Sequence, residues 1–166
     1  MAMTANGMIA AIDDSADFLT KEESASYVGM VLSAGNLIIG RRTYEILSTQ
    51  PEFQEFLKAG VKIVAISHGS FHVKNTDHTV AHSPQEALDL FGKTDTVVIA
   101  GGGMTNAAFL NENLVDEIFL DIEPAIIGGG LSLFRGVDFD TKALKLVGVK
   151  QFGDNEVQLH YEILRP

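Results

Sequence analysis

Val97-Val98-Ile99-Ala100-Gly101-Gly102-Gly103-Met104-Thr105-Asn106 is a short apolar run that leads straight into a glycine triplet. A run this short reads as a buried strand, and the glycines after it allow a sharp turn with close approach of the backbone to a ligand. A helix of about two turns follows, ending near Leu110. Its first N–H groups have no intrahelical acceptor and its dipole is positive at that end, so the turn favours an anion. Leu37-Ile38-Ile39-Gly40-Arg41-Arg42-Thr43 repeats the pattern, with two arginines directly after the glycine. Two such corners in one small chain point to a ligand with more than one phosphate, such as a dinucleotide. Either alone is weak evidence.

Around these corners strands and helices alternate. Ala5 to Ile12 reads as a first strand, followed by the polar loop 13–17. Thr20 and Glu23 have capping-box spacing, and Val28, Val31 and Leu32 share one helical face until Gly35 ends the helix. Asn36 to Ile39 is a buried strand, Thr43 to Leu47 a short helix, and Gln50 to Gly60 a loop with some helical content. Val61 to Ile66 is a further strand, ending at Ser67-His68-Gly69, a third place where the chain turns beside a ligand. Val80 and Ala81 form a short strand. Ser83-Pro84-Gln85-Glu86 joins an N-cap, a first-turn proline and a capping box, which predicts a helix over 84–91. Ile118 to Ile122 is the next strand, and Pro124 with Gly128-Gly129-Gly130 marks an irregular return. Leu144 to Phe152 and Val157 to Leu164 flank the turn Gly153-Asp154-Asn155, and Val157, Leu159, Tyr161 and Ile163 alternate with polar residues as in an antiparallel hairpin. The order predicts an α/β fold with a central, mostly parallel mixed sheet flanked by helices and a C-terminal antiparallel hairpin.

With 166 residues and 46% hydrophobic content, the chain is sized for a single domain, 1–166. The absence of cysteine excludes a disulfide framework, a thiolate metal site and cysteine catalysis, and fits a cytoplasmic setting. The apolar start, Met1 to Ile12, has no basic residue before Lys21 and is too short to span a bilayer, so neither a signal peptide nor a membrane anchor is expected. A formal net charge of -10 opposes nucleic-acid binding, so phosphate must be recognised locally, by groups such as Arg41 and Arg42. His68 and His72, like His78 and His82, are four residues apart. That spacing suits a metal only on a helix, and both pairs fall on strand and loop, so no metal is expected.

These residues resemble the dihydrofolate-reductase-like superfamily, and more closely the reductase domain of bacterial riboflavin-biosynthesis deaminase-reductases. The resemblance is carried by Met3-Thr4-Ala5-Asn6-Gly7-Met8-Ile9-Ala10, by Ile39-Gly40-Arg41-Arg42-Thr43-Tyr44-Glu45, by Gly101-Gly102-Gly103, and by Leu114-Val115-Asp116-Glu117 running on to Pro124 and Gly128-Gly129-Gly130. It implies NADPH lying across the carboxyl ends of the strands, where open α/β sheets bind ligands. Gly40, Arg41, Arg42 and Thr43 would then hold the adenosine side, Ser67 and His68 the 2′-phosphate, and Gly101, Gly102, Gly103, Met104, Thr105 and Asn106 the pyrophosphate. It also implies a cis bond at Gly101-Gly102, a homodimer, and reduction of a small nitrogen heterocycle or ribosylaminopyrimidine in riboflavin biosynthesis. The zinc-deaminase signature is absent, which describes a reductase-type domain without the deaminase.

Three departures bear on the substrate. The opening motif of the family ends in Asp-Gly, and here it reads Asn6-Gly7; an amide does not exchange a proton as a carboxyl does. A glutamate expected before the glycine turn is Ala100. The acid of folate reductases, counted from Gly40, falls at Ser24, with Glu23 one residue away, and the chain has no tryptophan. Asn6 and Asp13 are therefore the catalytic candidates, with Asn6, Ser24 and Glu123 facing substrate. Glu123 also reads as an exposed strand terminus, and the apolar stretch Ile118 to Ile127 as core rather than interface. Binding of nucleotide without turnover, and reduction of a pterin or folate, are the alternatives.

Overall fold

The computed structural model describes residues 1–75, 77–93, 96–136 and 138–165. Its centre is a parallel sheet in the order β5-β4-β3-β6, with β3 Asn36–Gly40, β4 Lys62–Ile66, β5 Thr79–Ala81 and β6 Val98–Ile99. A parallel sheet is covered on both faces, so its strands are apolar runs. Leu37 and Ile39 of β3 enter one buried cluster with Val31 of α1 (Lys21–Ala34) and Phe53 and Phe56 of α3 (Pro51–Lys58). Ile38, pointing the other way, enters a second cluster with Ala87 of α4 (Pro84–Asp89) and Phe109 of α5 (Gly103–Asn111). The remaining helix, α2 (Arg41–Leu47), follows β3 directly.

A second four-stranded sheet has the order β1-β7-β10-β9, with β1 Ala2–Thr4, β7 Glu117–Glu123, β9 Ala143–Phe152 and β10 Glu156–Leu164. β1 is parallel to β7, and the other pairs are antiparallel. The C-terminal hairpin is thus present, while two expectations are corrected. The first strand is broken: Gly7, at φ 83°, donates its N–H to Thr4 C=O at 2.8 Å, and the chain restarts as β2 (Met8–Ala11). Within the return after Pro124, Gly130–Ser132 forms a strand, β8, paired with β2.

Helix boundaries follow their caps. Thr20 accepts from the Glu23 N–H at 3.2 Å, and Gly35 closes α1 in the left-handed region. The segment read as a partly helical loop is α3, opened by Pro51 at its first turn and packed through Phe53 and Phe56. The stretch 118–127 is corrected more sharply. Ile118, Leu120 and Ile122 are not buried, whereas Asp121 and Glu123 are, and Ile126 is 78% exposed.

Candidate functional site

The two glycine corners lie against each other. Gly40 donates its N–H to Gly101 C=O at 2.7 Å, and Ala100 donates to Ile38 C=O at 2.8 Å. A side chain at Gly40 would collide with the Thr105 hydroxyl and crowd Gly101 O, and the Thr43 hydroxyl lies against Gly102. Gly101 has φ 83°, open to glycine, and the Gly101-Gly102 peptide is cis, as the resemblance implied. Two turns at the carboxyl ends of neighbouring parallel strands are so brought within one ligand's length.

The donors at each corner differ. α5 is capped by Gly102 with no side-chain cap, and its first backbone bond runs from Asn106 N–H to Gly102 C=O at 3.0 Å, leaving the amides of Gly103, Met104 and Thr105 at the open end. Asn106 and Thr105 are buried. The Asn106 side chain donates to Leu133 C=O at 3.0 Å, so it anchors the following loop rather than presenting an amide to a ligand. Met104 is exposed. At the other corner Arg41 is exposed and has no ion pair among the described residues, while Arg42 is paired with Asp14, a loop aspartate at φ 69°. Arg41 is therefore the guanidinium with its fork available.

Ser67 lies at the end of β4, buried, with its hydroxyl donated to Gly69 C=O at 3.1 Å. Its own carbonyl lies 2.7 Å from His82 Nδ1. His68 is exposed and, with Ser70, Phe71, His72 and His82, lines an open groove of about 710 Å³ beside the corner. The sequence alone offers His82 only in a histidine pair of metal-ligand spacing. Its position at the end of a parallel strand, directly before the N-cap Ser83, is the signal that places it at the ligand edge.

The substrate-side residues are rearranged relative to expectation. Asn6 is exposed, and its side chain is spent on the loop after β7: it donates to Ile127 C=O at 2.9 Å and accepts from Thr4 Oγ1 at 2.8 Å and Ile127 N–H at 3.4 Å. It clamps two segments. Asp13 is exposed and accepts from the Ser15 hydroxyl at 2.7 Å and the Ser15 N–H at 3.1 Å. These bonds hold its carboxyl below the usual carboxylate range, so it carries no proton to give near neutral pH. Ser24 bonds to Thr20 C=O at 3.2 Å and lines a surface groove with Glu52 and Glu55.

In its place Glu23 points inward, on the stripe it shares with Tyr27 and Val31. It is buried, and burial pushes its carboxyl up to about 7. Glu123 is fully buried, which overturns its reading as an exposed terminus, and neither of its oxygens is hydrogen-bonded among the described residues. Burial raises its pKa too, against a weaker pull from Thr20 beside it. The Tyr27 hydroxyl is likewise buried and unpartnered, raised by burial and by the Glu23 charge. Glu123 and Tyr27 thus leave buried polar atoms without a partner among the described residues, beside the buried Glu23 carboxyl.

A sequence model of the RibD C-terminal domain matches residues 1–158. The chain belongs to the RibD C-terminal domain family. An uncharacterized protein of Bacillus subtilis strain 168, YwjB, is 30% identical over 171 residues, covering 97% of this chain and 94% of its own. Among solved structures, a proposed riboflavin biosynthesis protein from Shewanella sp. PV-4 has TM-score 0.79 at 20% identity, covering 99% of this chain and 97% of that one. A deaminase/5-amino-6-(5-phosphoribosylamino)uracil reductase from Thermotoga maritima has TM-score 0.70 at 17% identity; 98% of this chain is covered, but 55% of that one. The fold of this RibD-type chain is thus the dihydrofolate-reductase-like α/β fold, in a family of reductases.

Proposed function

We propose that the chain is a reductase that binds NADPH over the carboxyl ends of β3, β4 and β6 and acts on a small nitrogen heterocycle or ribosylaminopyrimidine of the riboflavin pathway. The observation that carries this reading is the Gly40–Gly101 contact, which sets two phosphate-sized turns side by side, open amides on one and a guanidinium on the other. The residues fit such a group. The Gly103 and Met104 amides would take the pyrophosphate on a helix N-terminus. Arg41, with Thr43, would take the adenosine side, since a permanently charged planar fork binds phosphate oxygens in pairs. His68 lines the groove that would receive the 2′-phosphate, and the buried Ser67 precedes it at the end of β4.

The bound nicotinamide would supply the hydride. The chain's part is position and a proton. Glu23, titrating near neutrality, holds a proton at its carboxyl, and unpaired Glu123 accepts N–H groups of the ring; together they orient the substrate and replace Asn6 and Asp13 in those roles. Binding without turnover is the second reading, favoured by Ala100 and by the commitment of Asn6 to Ile127.

Titration calorimetry with NADPH and NADH, followed by candidate pyrimidine and pterin substrates while reduced-nicotinamide absorbance is monitored, tests both. NADPH is expected to bind with a Kd below about 100 μM, and Arg41→Ala to weaken it about tenfold. Absence of binding at millimolar nucleotide sinks the reading. Binding without consumption on every substrate favours the second.

A further inference from the structure

The chain has four arginines among 22 acidic residues. A guanidinium on so acidic a surface ordinarily finds a carboxylate, and two of them do: Arg42 pairs with Asp14, and Arg165 with Asp116. Arg41 and Arg135 are exposed, and among the described residues neither side chain has an ion pair or a hydrogen bond. Arg41 follows Gly40 at one corner. Arg135 stands at the other, although it is distant from the glycine triplet in sequence and no local pattern joins the two.

The strand β8 carries it there. β8 pairs with β2 and ends at Ser132, and the residues that follow fold onto the first turn of α5. Asn106 holds Leu133 through its side chain, the Ser132 hydroxyl donates to Phe134 C=O at 2.8 Å, and the Arg135 N–H donates to Gly103 C=O at 3.2 Å. A side chain on Gly103 would strike Ser132 C=O and the Arg135 stem, so glycine is what lets the two segments meet. Arg135 Cγ and Cδ therefore rest on the first residue of α5, and the guanidinium starts one bond further on, close to the amides that the helix leaves open.

Thr105, on the same turn, is a second sign of a ligand. It is 8% exposed, its hydroxyl lies against Gly40, and that hydroxyl has no hydrogen-bond partner among the described residues. Such a group is costly to keep unless a ligand supplies the partner.

We propose that Arg135 is a phosphate-binding residue: with the Gly103 and Met104 amides and the Thr105 hydroxyl, it grips the diphosphate of the nucleotide from the β8 side, as Arg41 does from the α2 side. The inference rests on the nucleotide reading and adds to it an element that the glycine corners do not contain, the loop after β8. A planar, permanent charge whose stem is already seated on α5 needs little ordering to pair two phosphate oxygens. It also offsets the field of a chain with a formal charge of -10, which repels a free anion.

Titration calorimetry on Arg135→Gln, Arg135→Lys and Arg165→Gln, beside the unaltered chain, tests it with two probes, NADPH and inorganic pyrophosphate. Arg135→Gln is expected to weaken NADPH about tenfold, and pyrophosphate at least as much, at an unchanged urea midpoint. Arg135→Lys, which keeps the charge but not the fork, is expected to recover part of the loss, and Arg165→Gln to lose nothing. An Arg135→Gln chain that holds NADPH as tightly as the unaltered one overturns the proposal and leaves the nucleotide reading standing. So does an equal loss in Arg165→Gln, which would make the effect one of total charge. Pyrophosphate bound through Arg135 without any NADPH binding supports the residue and sinks the nucleotide reading, and binding of neither probe sinks both.

Discussion

In the parallel sheet Leu37, Ile38 and Ile39 are all fully buried, two beneath α1 and α3 and one beneath α4 and α5, whereas in β7, β10 and β9 the buried side chains are Asp121, Glu123 and Glu156. One half of the molecule hides its apolar groups, and the other hides its acids. The first arrangement is a core, stabilised by burial of aliphatic surface. The second carries a cost at Glu123, whose buried oxygens have no hydrogen bond among the described residues, whereas Asp121 accepts from Gln158 and Glu156 from the Asn155 N–H.

That contrast can be broken at several points. Ile38→Ala removes a fully buried side chain between two helices and is expected to cost about 2–5 kcal/mol in urea unfolding, the largest effect here. Next comes the pH profile. Glu23 has a folded value near 7 against an ordinary 4.5, so the native state holds the extra proton between these values. Its contribution is greatest at low pH and is lost as pH rises through 7, by about 3 kcal/mol in total. Glu23→Gln is expected to flatten this part of the profile, with most of the gain at pH 8. An unchanged slope would show that another group carries it.

Gly40→Ala brings a methyl against Thr105 and Gly101, and is expected to cost about 1–3 kcal/mol while reducing nucleotide affinity more than stability, as calorimetry beside thermal unfolding would show. Val149→Thr, at a position of β9 that is 61% exposed, is expected to change stability by less than about 0.5 kcal/mol in urea unfolding. A larger loss there would mean that this side chain is packed.

The two corners were legible because each is local: a strand, glycine and a helix start lie within ten residues, and the cap of α1 is set by Thr20 and Gly35 alone. The hairpin was legible from its alternation. The substrate half was not, for reasons of distance and rotation. Asn6 finds its partner in Ile127, 121 residues away, and no local pattern announces that bond. Glu23 and Ser24 differ by one position, but one step turns a helical side chain by about 100°, enough to decide whether it faces the inside or the α3 groove. The alternating pattern of β7 shows that one face is apolar, yet it does not say which face the rest of the chain covers. Core was therefore assigned to the wrong set of residues.

The pairing of β1 with β7 also orders events in time. Ala2, Met3 and Thr4 find their strand partner in residues 121 to 123, and the Asn6 clamp needs Ile127. Residues 2–4 must therefore wait for a partner almost 120 positions away, while β3 and β4 meet across a short crossover. Because closing a long loop precedes any reward from the contact, the N-terminal strand docks late. Pulse-labelled hydrogen exchange during refolding should find the amides of β3 and β4 protected before those of β1.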